Sequence, residues 1–238
     1  VHARPAGRRR ALAFAAPLVL VLTAWNNLIV PRLPTAPASY VVVNAGATVV
    51  LLAAARSARL PWHELGLARR RLAAGARWGG AGAAVVATGY AVALLLPGVR
   101  PLLKDARIAG LDGGQLAFQV LVRIPVGTVL WEEVAFRGVL PAALGGAVSP
   151  RAATAGAGIV FGIWHIRPTL SALAANDLAD GPVSRGVAVL LGCLVTAGAG
   201  VLLTWLRLRS GSLLAPVLLH LAANCLGTLA AAAAHRLD

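Results

Sequence analysis

The chain has 238 residues, 58% of them hydrophobic and 13% charged, with a mean hydropathy of +0.77. Soluble domains carry about 25% charged residues, so the composition excludes an ordinary soluble fold. The long Ala/Leu/Val runs also exclude a β-barrel, whose strands alternate over ~10 residues. The net charge of +14 sits in short arginine-bearing segments beside apolar runs, as positive-inside topology requires. There is no basic helix or aromatic platform of the kind that reads bases, so the expected environment is a lipid bilayer, without nucleic acid.

Apolar runs capable of crossing a ~30 Å hydrocarbon core are expected, in chain order, at 11–30, 39–55, 79–98, 117–140, 151–166, 185–206 and 212–234. Prolines and charges punctuate them. Val1, in a chain without Met, reads as translation from an alternative start codon, and the run after Arg8, Arg9 and Arg10 reads as a first span rather than a cleaved signal. The second connection holds Arg56, Arg59, Arg69, Arg70, Arg71 and Arg77, whereas 31–39 holds only Arg32. This asymmetry predicts a cytoplasmic N-terminus and cytoplasmic residues 56–78. An eighth span forms if 141–150 joins the membrane. The expectation is an all-α polytopic transmembrane helix bundle of seven to eight spans, one integral-membrane domain over 1–238 with its motif-bearing core at 117–234. Its 26 glycines suit close helix packing. Cys193 and Cys225 lie in apolar runs without metal-ligand spacing and read as small core residues.

The chemistry concentrates in Trp131-Glu132-Glu133-Val134-Ala135-Phe136-Arg137. The chain has three Glu, and two of them stand here. An ionisable group in a span costs roughly 2.5–3.5 kcal/mol on insertion scales, so such a cluster needs partners or a purpose. On a helix Glu133 and Arg137 are i, i+4 neighbours, acid before base, and form the expected supporting ion pair. Glu132 points about 100° away, which leaves it free to take a proton from water. Two later runs each add a histidine. His165 follows Phe161 by four residues, so ring and imidazole share a face, and His220 shares a face with Asn224. One such histidine is ordinary in a core, but two beside an unpaired carboxylate and an amide suggest a site between helices.

Those residues serve two schemes. Glu132 can act as base, with the histidines moving protons and Asn224 donating to an oxyanion. Alternatively Glu132, His165 and His220 can hold a divalent metal such as Zn²⁺ with an open position for water. Two other segments carry less. His63-Glu64-Leu65-Gly66-Leu67 starts like a zinc-protease motif but has Leu67 at the second histidine position. Asp177 and Asp180 lack the ligand density of a calcium loop and read as a connector.

In order, Glu132-Glu133…Arg137, Phe161…His165 and His220…Asn224 resemble the E-E-x-x-x-R, F-x-x-x-H and H-x-x-x-N/D motifs of the CAAX protease and bacteriocin-processing (Abi) family of intramembrane proteases. The resemblance covers roughly 117–234, and the Leu65-Gly66-Leu67 turn also looks like the family. It implies an eight-helix fold in which Glu132, His165, His220 and Asn224 line a catalytic chamber. Glu133, Arg137 and Phe161 support it. Relatives are labelled metalloproteases, while the chamber also permits metal-free water activation. The implied substrate is a membrane-associated or lipidated peptide, and the Ala/Arg/Gly-rich composition suggests a bacterial cytoplasmic membrane. Two rivals remain: a non-cleaving immunity or binding protein, and a proton-coupled transporter, against which the chain lacks a convincing inverted repeat.

Overall fold

The computed structural model describes residues 5–34 and 36–237, and among them it contains helices and turns without strands. Eight helices follow in order: α1 (Gly7–Arg32), α2 (Ala38–Ser57), α3 (Arg69–Leu95), α4 (Gly113–Gly145), α5 (Pro150–Trp164), α6 (Ile166–Ala175), α7 (Gly181–Ser210) and α8 (Leu214–Leu237). In lipid every backbone polar group must be satisfied within the segment, and these Ala-, Leu- and Val-rich runs do so by helical bonding. Sequence-local signals set several ends. Asp112 and Gln115 form a reciprocal capping box at the start of α4, and Ser149 caps α5 with Pro150 in the first turn.

Six of the eight helices are long and apolar enough to cross a membrane: α1 to α4, α7 and α8. The expected span at 151–166 is instead the 15-residue α5, about 22 Å long at 1.5 Å per residue. It breaks at His165 (φ −91°, ψ 4°) into α6. Residues 141–150 add no helix of their own. They end α4, turn, and start α5. α3 begins at Arg69, ten residues before the expected boundary at 79, because its arginines occupy the first turns of the helix rather than a loop. Long basic side chains can lie along a helix end and keep their charges in water.

α7 lies along α5, α8 along α3, and α2 along the first part of α4, while α1 packs on the end of α4 and on α5. Trp131 to Leu140 are buried without interruption, so this part of α4 is the axis of the bundle. Around it run Trp25, Trp131, Trp164, Phe136 and Phe161, successive ring centroids lying between 4.9 and 6.3 Å apart. Large apolar side chains that face outward, such as Leu20, Val49, Val85, Leu95 and Val195, are those that lipid would cover. Cys193 and Cys225 are unpaired and half-buried rather than core residues, and the Cys225 thiol donates to the Val120 carbonyl at 3.4 Å. The 63–67 segment is a turn in which His63 and Glu64 are exposed and Leu65 is fully buried. The Leu213 N–H donates to the Gly66 carbonyl at 2.8 Å.

Close backbone contact holds the α3–α8 pair together. A Cβ at Gly79 would lie 2.7 Å from the Ala215 carbonyl oxygen, whereas one at the adjacent Gly80 would meet nothing within 4 Å. Gly79→Ala is therefore expected to destabilise the bundle by about 1–3 kcal/mol through overpacking. Gly80→Ala should be neutral or slightly stabilising, since Ala is the better helix former. Thermal unfolding of the two variants in detergent checks the contrast.

Candidate active site

Glu132 and Glu133 occupy one α-helical turn, Trp131–Glu133, between two stretches of α4 wound with i→i+5 bonding, Gln119–Leu130 and Val134–Val139. Such wide winding is rare and gathers at functional positions. Pro125, inside the first stretch, removes one backbone donor. The two carboxylates diverge from this turn into different surroundings.

Glu133 is fully buried and lies 3.1 Å from the Arg137 guanidinium, which is also fully buried. No Arg137 nitrogen makes an aligned hydrogen bond among the described residues. The pair is a close, off-axis charge contact, and the guanidinium also stacks 3.9 Å from the Phe161 ring centre. Glu133 has a second partner. His220 Nδ1 lies 2.7 Å from Glu133 Oε1, and since an ionised carboxylate only accepts, this nitrogen carries the proton. His220 Nε2 then accepts from the Asn224 amide at 3.1 Å. These roles are assigned from the hydrogen-bond network.

Glu132 is 3% exposed. Its Oε1 accepts from the Trp164 indole at 3.0 Å. Its Oε2 has no hydrogen-bond partner among the described residues and lies 3.9 Å from His220 Nε2. His165 Nδ1 donates to the Phe161 carbonyl at 2.8 Å, and the two rings meet edge to face at 4.5 Å. With Nδ1 as the donor, Nε2 is the nitrogen that can accept.

Glu132, His165 and Asn224 line a cavity of about 1510 Å³, larger than the ~300–1,000 Å³ typical of small-molecule sites. Other walls come from Asn26, Tyr40, Tyr90, Arg123 and Thr128, and from the 102–111 connection. At the mouth, Asp105 accepts from the Arg107 side chain and from the Asn176 amide, and the His235 ring donates to its carbonyl. This clamp joins the 96–112 connection to the ends of α6 and α8. The hydrogen bond from Arg107 is the main reason that the Asp105 carboxyl falls to about 2. A depressed carboxylate contributes stability above its ordinary pKa near 3.8, and that stability is lost as pH falls through about 2. Asp105→Asn is expected to loosen the mouth at neutral pH, seen as faster proteolysis between 100 and 112, and to narrow the gap from wild type as pH falls towards 2.

The expected Glu133–Arg137 contact, the Phe161–His165 pair and the His220–Asn224 pair are all formed. The expectation that gave Glu133 only a supporting role misses its bond to His220. Among the described residues no three His, Cys, Asp or Glu side chains are grouped to hold one metal ion. Both ring nitrogens of His220 are already engaged, so Glu132, His165 and His220 do not make a ready His₂Glu cage.

Sequence reasoning overlooked three positions. Trp164 fixes Glu132. Asn44 accepts from the Trp25 indole and donates to the Gly127 carbonyl. Asn27 donates to the Ile163 carbonyl and accepts from the Arg167 N–H, and so bridges the break at His165. An amide inside an apolar run was the available signal at both asparagines.

Residues 114–226 match the family model described as type II CAAX prenyl endopeptidase Rce1-like. Neither a curated protein nor a solved structure matches the chain. The matched segment contains the two carboxylates, both histidines and Asn224, in the order that the sequence motifs predict. Over that segment, a little under half of its length, the chain resembles the Rce1-like type II CAAX prenyl endopeptidases.

Proposed function

We propose that this integral membrane protein hydrolyses a peptide bond of a membrane-associated or lipidated peptide, with Glu132 as the general base. The observation that carries the reading is the Glu132 carboxylate. One of its oxygens is fixed by Trp164, and the other is buried, unpartnered and within 4 Å of a histidine at the wall of a large cavity. A carboxylate held by one oxygen has the second to receive a proton.

In the proposed reaction a water between Glu132 and His165 gives its proton to Glu132 Oε2, and its oxygen attacks the substrate carbonyl carbon. The His165 Nε2 lone pair accepts the water's other hydrogen and aims it. The oxyanion takes a hydrogen bond from the Asn224 amide, whose orientation His220 sets. Glu132 then returns the proton to the leaving nitrogen as the C–N bond breaks. Glu133 holds His220 in one tautomer, and Arg137 neutralises Glu133. All steps use side chains of this chain. Metal-free chemistry is favoured because His220 has no free nitrogen for a ligand bond.

The whole chain is proposed to work as one domain in a bacterial cytoplasmic membrane. Arg8, Arg9, Arg10, Arg56, Arg59, Arg69, Arg70, Arg71, Arg151, Arg207 and Arg209 lie at one end of the bundle, where Glu64 is the one acid among the described residues. Asp105, Asp112, Asp177 and Asp180 lie at the other end. The positive-inside rule makes the arginine-rich end, with the N-terminus, cytoplasmic.

The test is cleavage of lipidated peptides by purified protein in liposomes, read by mass spectrometry with and without a chelator. Products from wild type that persist in chelator support a glutamate base. Loss on chelation with recovery on Zn²⁺ overturns the metal-free scheme, and intact peptide throughout favours a binding or immunity role.

A further inference from the structure

The side of α4 that faces the cavity carries Gln115, Gln119, Arg123, Thr128 and Glu132. Four-residue steps would keep such a row on one face of an α-helix. The single five-residue step, from Arg123 to Thr128, falls in the wide-wound stretch around Pro125, which keeps the row aligned as far as Glu132. A polar track thus leads along the cavity wall to the proposed base.

Arg123 is the feature of this track that calls for a ligand. It is half-buried on a membrane-spanning helix. Its guanidinium lies 4.6 Å from the Tyr40 ring centre, and Nη1 donates to Gln119 Oε1 at 3.3 Å. No carboxylate among the described residues forms an ion pair with it, in contrast to Arg107 with Asp105 and Arg137 with Glu133. A cation at membrane depth without a counter-ion is costly. The stacked, hydrogen-bonded fork is already oriented, and a planar carboxylate is the anion that such a fork pairs with best. From Arg123 to Glu132 is nine residues, at most about 13 Å along the helix, a span that a few extended residues cover at ~3.3 Å each.

We infer that Arg123 seats the free α-carboxylate at the end of the peptide, so that the chain lies extended along the track towards Glu132. The inference rests on the protease reading for the cleavage that binding leads to, but binding itself is measured separately. The probe is an N-palmitoylated fluorescent pentapeptide, Gly-Ala-Val-Ala-Leu, prepared as free acid and as carboxamide. It is titrated against the full-length protein in phosphatidylcholine nanodiscs. Wild type should bind the acid about tenfold or more tightly than the amide, a difference of roughly 1.4 kcal/mol. Arg123→Gln should abolish this gap by weakening the acid alone, and Arg123→Lys should restore part of it. Equal binding of acid and amide by wild type, a gap that survives Arg123→Gln, or binding of neither form overturns the assignment. A gap that vanishes on adding phosphatidylglycerol, with that lipid retained by wild type but not by Arg123→Gln, assigns the seat to a lipid phosphate and also overturns it. Cleavage of the same probes, with Glu132→Gln as the control, reports on the protease reading independently of the acid–amide gap.

Discussion

Glu132→Gln is expected to lose hydrolysis by about 10²–10⁴-fold or more, the scale of a general base, while the protein still folds and binds peptide. Glutamine keeps an oxygen that can accept from the Trp164 indole, so the side chain stays in place, but it can no longer take a proton from water. The native carboxylate's one hydrogen-bond partner among the described residues is the uncharged Trp164 indole, and Arg137 keeps its contact with Glu133 when Glu132 is neutralised. The checks are product formation by mass spectrometry and thermal unfolding on the same preparations. Lost turnover with an unchanged unfolding temperature supports the base assignment. Full activity in Glu132→Gln would remove Glu132 from the chemistry and shift the search to Glu133.

The opposite balance is expected at the neighbouring pair. Glu133→Ala or Arg137→Ala should each destabilise the bundle by about 3–5 kcal/mol, because removing one partner leaves the other as an uncompensated buried charge. Both side chains are fully buried, and Arg137 lies against Glu133 and the Phe161 face. Combining Glu133→Ala with Arg137→Ala should cost much less than the two single changes together, since the pair is removed as a unit. Activity adds a second reading. Glu133 also holds His220, so Glu133→Gln should reduce turnover even where the protein remains folded. Unfolding temperatures of the two single variants and the double variant give the coupling. Singles as stable as wild type would show that the contact carries little.

Adjacent acids with such different expected behaviour illustrate which parts of this protein are local. The i, i+4 relations of Glu133 with Arg137, Phe161 with His165 and His220 with Asn224 come from helix geometry once each segment is helical, and all three are formed. Hydropathy likewise determines that long helices cross the membrane, and the order of the three motifs points to the family. These are properties of a run of residues and of a 3.6-residue turn.

Contacts between helices depend on where two helices cross and how each is rotated, and no run of residues encodes that alone. Only the tertiary structure joins Glu133 to His220, eighty-seven residues apart, and Trp164 to Glu132. It alone shows Asn27 bridging the break at His165 and the wide winding of α4 that brings Arg123 and Glu132 to one wall. Composition was also a poor guide to the span at 151–166, because hydropathy reports what can enter lipid and not how far a helix runs before packing breaks it. The sequence by itself determined a membrane helix bundle with three chemically loaded segments. Packing decided which carboxylate is tied to a histidine and an arginine and which lines the cavity, since burial and pairing are set by the neighbours that a fold brings together.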